Sequence, residues 1–474
     1  MNTLNKLCLL GLSASVIALT SCQQPAPTSP QANAPHTDTH KAKNVILFIG
    51  DGMGISTITA ARIFDGQSKG MSGEDNKLSF EEFPQLALVK TYNLDAQVPD
   101  SAGTASAMNT GLKTQIGKIS VQPDALYAGC ADSTATPPTS MADMAETAGL
   151  STGIVSTARL THATPAAVYG HVMSRGWEND TKISTDGKEK GCIDLAQQLI
   201  NYNTGDGLEL ALGGGLNNFI SGGLGAQRKD GKDLTQAWKD KGENYTFIQD
   251  AAALRALSPQ ANDKILGLFS KSHMSFETDR DNAKEPSLSE LTSFAVKNLE
   301  ARGNGYFLMV EGGRIDHAHH ATNAYRALSE TQEFAKAVAA ADALTNDEDT
   351  LILVTADHSH VFTMAGYPRI GNPILGLVHP AGGDEEHLSK AADGNPYTTL
   401  GYQNGPHIRD VILTDEMVQD KDYRQEVSVR RPSETHGGED VALFAKGPGA
   451  NQVHGVIDQA EIFGIMTHAL GLEE

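Results

Sequence analysis

Between Glu311 and His320 the chain reads EGGRIDHAHH: one Glu, one Arg, one Asp and three His in ten residues. Carboxylates and imidazoles at this density are ligands for divalent metals. Mixed Asp and His sets suit Zn2+, and all-oxygen sets suit Mg2+. Asp316 and His320 are four apart, which puts both on one face of a helix. Similar residues follow other apolar runs. Asp51 comes after NVILFIG, Asp357 and His358 after TLILVTA, His162 and Thr164 lie in RLTHATPAAVYGH, and His436 in SETHGGEDVALF. An Asp at a strand end is by itself commonly a helix N-cap. Gathered at one sheet edge, however, these groups would repel or be desolvated unless cations held them. A nucleophile candidate stands in VPDSAGTASAMNTG, where Ser101 precedes a small-residue stretch, Ala102 to Thr110, that reads as a helix. A helix N-terminus favours a developing oxyanion, and a metal can depress a hydroxyl pKa without a His base.

The elements that must position these groups read as alternating strands and helices. Apolar runs at 44–49, 153–158, 208–213, 306–311, 350–356 and 441–447 have the composition of buried parallel strands. Helical patterns occupy 54–64, 138–149, 193–202, 288–301 and 325–344. The alternation predicts an α/β sandwich around a large, mainly parallel sheet, in which function collects at the carboxyl ends of strands. Residues 222–242 are Gly- and Lys-rich and read as a surface excursion; residues 368–431 read as an inserted subdomain.

The 474 residues carry a net charge of −21, which argues against nucleic acid as a partner. Leu7 to Leu19 is an apolar stretch too short to span a bilayer and fits the core of a signal peptide over 1–21. It ends in LTSC, which resembles a bacterial lipobox with Cys22 as the lipidated residue. Gln23, where an Asp would suggest inner-membrane retention, implies an outer-membrane lipoprotein, periplasmic or at the cell surface. Residues 22–43 are Pro-rich and read as a disordered tether before a domain at 44–474. Cys130 and Cys192 remain as an even pair in an exported chain. They read as a disulfide, or as two buried thiols.

Six stretches together, DGMG (51–54), VPDSAGTA (98–105), THATPAA (161–167), EGGRIDHAHH (311–320), TADHSHVF (355–362) and ETHGGEDVALFAKGP (434–448), resemble the alkaline phosphatase family in order and spacing. The resemblance implies a metal-dependent phosphomonoesterase acting at alkaline pH through a phosphoserine. Its centre would hold two Zn2+ and one Mg2+ per subunit. Asp316, His320 and His436 would hold the first zinc, and Asp357, His358 and Asp51 the second. Asp51 would bridge to magnesium, completed by Thr164 and Glu311. Ser101 would be the nucleophile and Arg175, in HVMSRGW, the bidentate phosphate clamp.

His162 and His317 stand where the best-known bacterial form has Asp and Lys, so the resemblance is to the animal form. It implies that His317 and His360 act near the site through water, with His317 toward the phosphate; His319 reads as solvated. Tyr367 would reach the partner subunit's site in a homodimer, residues 368–431 would form a crown-like insert, and Cys130–Cys192 matches a disulfide of that form. A fourth, calcium site is poorly supplied, because Ser270 follows Phe269 where an acidic ligand is expected and Glu285 replaces an Asp. The alternative within the superfamily is a phosphodiesterase or sulfatase. DSAGT lacks the C/S-x-P-x-R motif of the latter, and the former usually presents Thr and lacks the Arg175 and magnesium set.

Overall fold

The structure, a computed structural model, describes residues 41–124, 130, 137–259, 262–383 and 387–473. The expected leader, Cys22 and nearly all of the expected tether lie outside them. Within the body, Ala42, two residues before Asn44, is buried and donates its N–H to Ala469 O at 2.8 Å.

The strands are β1 (Asn44–Gly50), β2 (Gln85–Lys90), β3 (Ser151–Arg159), β4 (Leu210–Gly214), β5 (Tyr245–Ile248), β6 (Lys264–Leu268), β7 (Tyr306–Glu311), β8 (Thr350–Ala356), β9 (Ser359–His360), β10 (Phe362–Met364), β11 (Leu400–Gly405), β12 (Val427–Arg430), β13 (His436–Gly437), β14 (Val441–Lys446) and β15 (His454–Asp458). Ten of them form one sheet in the order β15-β2-β14-β8-β1-β7-β3-β4-β6-β5. Every residue of β1, β7 and β8 is buried, which is why these segments read as unbroken apolar runs rather than alternating ones. Seven neighbouring strands from β8 to β5 are parallel, as expected. The run at 441–447 is the exception. β14 lies antiparallel to both β8 and β2, because a buried apolar run specifies burial on two faces and carries no information about direction.

The helices fall where the sequence put them, at Ile55–Ser68, Met141–Thr147, Leu195–Asn201, Leu288–Glu300 and Ala324–Leu344. Ser287 and Glu290 form a capping box at the start of the fourth. The stretch 222–242 is less of an excursion than its composition suggests. It contains a helix, Leu234–Lys239, buries Trp238, and buries Arg228 on Asp194 at 2.8 Å. Within residues 368–431, Leu377, Leu413 and Val418 form a small separate cluster, whereas Ile374, Leu375, Leu400, Tyr402 and Val427 join the main core; the three-stranded sheet β10-β11-β12 begins at Phe362, before this stretch. Cys130 and Cys192 form a disulfide.

At the sheet's centre the order β8-β1-β7-β3 sets four strand ends side by side. Register pairs Gly50 with Ala356 and Ile49 with Glu311, and Glu311 with Ser156 across the next ladder. Asp51, Asp357 and Glu311 therefore emerge from adjacent strands at one edge.

Candidate metal centre

Backbone geometry fixes the carboxylates. Gly52 adopts φ +71°, and a Cβ there would fall 2.4 Å from the His360 ring; its N–H donates to Asp357 Oδ1 at 2.9 Å. Gly313 serves differently. Its backbone is ordinary helical, but a Cβ would lie 2.8 Å from Ala158 Cβ and 2.9 Å from Glu311 Oε1. The helix Arg314–His320 follows and carries Asp316 and His320. β13 pairs with β9 and sets His436 opposite His360.

Three imidazoles are oriented alike. His320 Nδ1 lies 2.8 Å from Glu434 O, His436 Nδ1 2.8 Å from Pro99 O, and His358 Nδ1 3.2 Å from Ser359 O. A carbonyl can only accept, so each Nδ1 carries the proton and each Nε2 turns a lone pair inward. Those lone pairs face one another and carboxylates at short range. His320 Nε2 is 3.3 Å from His436 Nε2; Asp316 Oδ1 is 3.3 Å from the first and 3.5 Å from the second. Beside this triangle, His358 Nε2 is 3.4 Å from Asp51 Oδ1 and 3.4 Å from Asp357 Oδ2. Tetrahedral ligands about 2.0–2.1 Å from zinc are separated by about 3.3 Å, which is the spacing of both groups. Asp51 also groups with Glu311 and His162. Both Asp51 oxygens, Asp357 Oδ2, Glu311 Oε1 and Thr164 Oγ1 are buried without a hydrogen-bond partner. Such orphans are costly, and cations at these positions would satisfy them.

The electrostatics agree. Burial, then Asp357, Asp316 and Glu311, hold the Asp51 carboxyl well above the usual range. Burial also raises Asp357, and raises Glu311 to about 8 against the hydrogen bond from Ser156. Asp316 goes the other way: burial opposes, but His320, His360 and His436 together hold it well below the ordinary value. Anions kept protonated for want of a counter-charge are the signature of a site that cations complete.

Ser101 opens the helix Ser101–Thr110, with Asp100 as N-cap accepting from Gly103 N at 3.1 Å. Its Oγ lies 3.2 Å from His358 Nε2, beside the Asp51–Asp357–His358 group. Arg175 donates from Nη1 to Asp100 Oδ2 at 3.0 Å and from Nη2 to His162 Nε2 at 3.2 Å, so it is braced against the residue preceding Ser101. Every residue expected to hold metal, with the expected nucleophile and clamp, thus meets at one edge.

Other expectations change. His360 touches an expected zinc ligand directly. It donates directly to Asp316 Oδ1 at 2.9 Å and to Glu434 Oε2 at 2.6 Å. Burial would lower its pKa, but Glu434 and Asp316 push it up to about 10, while His360 helps draw Glu434 down to about 2 against its burial. His319 is fully buried rather than solvated, between Thr57 Oγ1 at 3.0 Å and the Tyr402 hydroxyl at 2.8 Å. The rings of Phe362, Tyr402 and His360 pack around it and exclude solvent. His317 and His162 face each other at 5.4 Å between ring centroids, with His273 4.0 Å from His317. Tyr367 is 90% exposed with φ 58°. Sequence reading missed Glu434, Ser156 and His273. Glu434 stood two residues before His436 and could have been suspected; His273, in SKSHMSF, had no neighbour of its own kind. Cavity size does not find the centre: the groove of about 620 Å³ lined by Leu254, Leu257 and Phe294 contains none of these residues.

Comparisons with known proteins match the same span. The family model described as alkaline phosphatase covers residues 42–472. The chain is 43% identical to the tissue-nonspecific alkaline phosphatase of Gallus gallus over 453 residues, covering 92% of this chain and 85% of that one. It is 42% identical to the human tissue-nonspecific isozyme over 451 residues, covering 91% and 84%. Among solved structures, alkaline phosphatase from the Antarctic bacterium TAB5 superposes with TM-score 0.63 at 26% identity, covering 92% and 99%. The Thermus thermophilus enzyme gives 0.67 at 25%, covering 92% and 93%. A TAB5 mutant with magnesium bound, at 25% identity, gives 0.64 with 92% and 99% covered.

Proposed function

The chain belongs to the alkaline phosphatase family and is a metal-dependent phosphomonoesterase, and we propose that it transfers the phosphoryl group to Ser101 before water takes it. The observation that carries this reading is Ser101 Oγ at a helix start, 3.2 Å from an inward Nε2 of a two-carboxylate, one-imidazole group. Asp316, His320 and His436 fit one zinc, Asp51, Asp357 and His358 a second, and Asp51, Glu311 and Thr164 a magnesium. When bound, these ions supply the positive charge that lowers the Ser101 hydroxyl pKa and offsets charge on the attacking and leaving oxygens.

The chain's own side chains do the rest. Arg175, held by Asp100 and His162, presents its planar fork to two phosphate oxygens. The helix dipole of Ser101–Thr110 favours negative charge at Ser101. His317 and His162, with Nδ1 atoms buried and unpartnered, offer polar contacts to a bound oxygen or its water. Ser101→Ala in the metal-loaded protein should lose p-nitrophenyl phosphate turnover by a factor of 1,000 or more, by analogy with other nucleophile deletions, while retaining its zinc. Parent-level turnover in that variant would refute the assignment. Comparison with the bis-ester separates a phosphodiesterase.

Export and anchoring through Cys22 rest on the LTSC sequence and fit the disulfide. No helix among the described residues is long and apolar enough to cross a membrane. Cys22→Ser should release the protein from the membrane fraction. A homodimer is supported by the exposed apolar side chains Tyr367, Ile370 and Ile412 on and beside the insert, and light scattering tests it. Glu285 is engaged by Ser275 N and Oγ, and Ser270 Oγ donates to Ser272 O, which disfavours a structural calcium there.

A further inference from the structure

Beyond the metal centre, one cavity concentrates positive charge in a chain whose net charge is −21. It has a volume of about 270 Å³ and is bounded by Arg159, Lys182, Lys271, Glu178, Asn217 and Gln227. Lys182 and Lys271 form no ion pair with any described residue, whereas Arg159, Arg228, Arg326 and Lys446 each find a carboxylate.

Glu178 does not reserve the cavity for a cation, because its charge is paired with Arg159 and its oxygens accept four hydrogen bonds. Oε1 accepts from Arg159 Nη2 at 2.6 Å. Oε2 accepts from Arg159 Nε at 2.7 Å, Thr161 Oγ1 at 2.6 Å and Asn218 Nδ2 at 3.0 Å. The floor is held by Asn179 donating to Asn218 Oδ1 at 2.8 Å. What the wall still offers is mainly donors: two ammonium groups and the side-chain amide of Gln227, against one unpartnered acceptor, Asn217 Oδ1, while Arg159 Nη1 is engaged by Ser272 Oγ and His273. We propose that this cavity is a second oxyanion site, taking a phosphate-class dianion apart from the metal centre.

The site is linked to that centre through Arg159. Its Nη1 touches His273 Nε2, and His273 packs 4.0 Å from His317 and 5.2 Å from His162 between ring centroids. The Arg159 backbone N–H also donates to His273 Nδ1 at 3.4 Å, so the residue touches this ring from two sides and any pull on Arg159 is felt by the imidazole cluster. The same chemistry can come from free inorganic phosphate or from a second phosphoryl group on a bisphosphorylated substrate.

The test uses the metal-loaded protein and the exposed double variant Lys182→Ala/Lys271→Ala. Equilibrium dialysis with inorganic phosphate should give two ions per chain in the parent and one in the variant, with p-nitrophenyl phosphate kcat/KM within about twofold. Phosphate inhibition should change from mixed to competitive. If the occupant is instead a substrate phosphoryl group, dialysis gives one ion in both. In that case kcat/KM for butanediol bisphosphate, relative to butyl phosphate, falls about tenfold in the variant, as expected for lost charge complementarity. One ion in both proteins together with an unchanged bisphosphate preference overturns the proposal. Failure of the parent to hydrolyse p-nitrophenyl phosphate would count against the centre and not against the cavity.

Discussion

Tyr402→Phe removes one oxygen and tests whether His319 is a strut. The Tyr402 ring stays where it is, packed 5.1 Å from Phe362 and 5.7 Å from His319 between centroids. What is lost is the 2.8 Å hydrogen bond to His319 Nδ1, leaving that nitrogen buried and unpaired. An orphaned buried polar group costs about 1–3 kcal/mol. For a folded body of this length, unfolding entropy is about 0.9 kcal/mol per degree, so the melting temperature should fall by about 1–3 °C. The assay is thermal unfolding of the metal-loaded protein at one fixed scan rate, with His319→Ala and the double variant completing a cycle. The two losses should overlap by at least about 1 kcal/mol, because they delete one bond. The Arg314–His320 helix carries Asp316 and His320, so zinc retention under chelator should also weaken. An unchanged melting temperature with fully additive losses would refute the strut and restore a solvated His319.

Arg175→Lys keeps the charge but loses the two-pronged contact and the simultaneous bracing by Asp100 and His162. KM for p-nitrophenyl phosphate should rise about tenfold or more, read from steady-state kinetics. Glu330 is buried, and burial lifts it from 4.5 to about 8 against the backbone hydrogen bond from Glu277 and the pull of Arg314. Its folded pKa is raised, so its contribution is fully present below pH 4.5 and is lost as pH climbs through 8. Glu330→Gln should therefore match the parent near pH 5 and exceed it at pH 9, by at most about 5 kcal/mol, in urea unfolding across that range.

The sheet's centre was legible because β1, β7 and β8 are buried on both faces and each ends directly in a carboxylate proposed to hold metal; the apolar run and the residue after it are one signal. Asp316 and His320 were legible from their helical spacing taken together with the other Asp and His residues that follow apolar runs. The direction of β14 was not, since burial has no arrow. The strand β2, which lies between β15 and β14, was missed because half of QLALVK faces outward and breaks the run. His319 misled because its burial depends on Thr57 and Tyr402, which lie 262 and 83 residues away in the chain. Glu434 and His273 act through other side chains, and a residue whose job is to hold another histidine has no spacing rule to betray it. Tyr367 has a role only if a second chain is present, and no single-chain signal describes that.

The raised carboxylates also set an order of events. Without cations, Asp51, Asp357 and Glu311 compete for protons, and Glu311 holds its own up to about pH 8. A magnesium entering the Asp51–Glu311–Thr164 set must displace the Glu311 proton and any that Asp51 holds, so its affinity should rise by at least about tenfold per pH unit below pH 8. Part of the lift on Glu311 comes after burial from Asp357 and Asp316, the carboxylates assigned to the two zincs. Neutralising them removes that repulsion and lowers the pH at which Glu311 ionises. Zinc loading should therefore make magnesium binding less steep in pH, although zinc and magnesium repel as ions. Magnesium titrations at pH 6.5, 7.5 and 8.5, on zinc-free and zinc-loaded protein, measure the two slopes. Equal slopes would mean that the carboxylates at this edge titrate independently, and the shared electrostatics argued from Asp51 would be wrong.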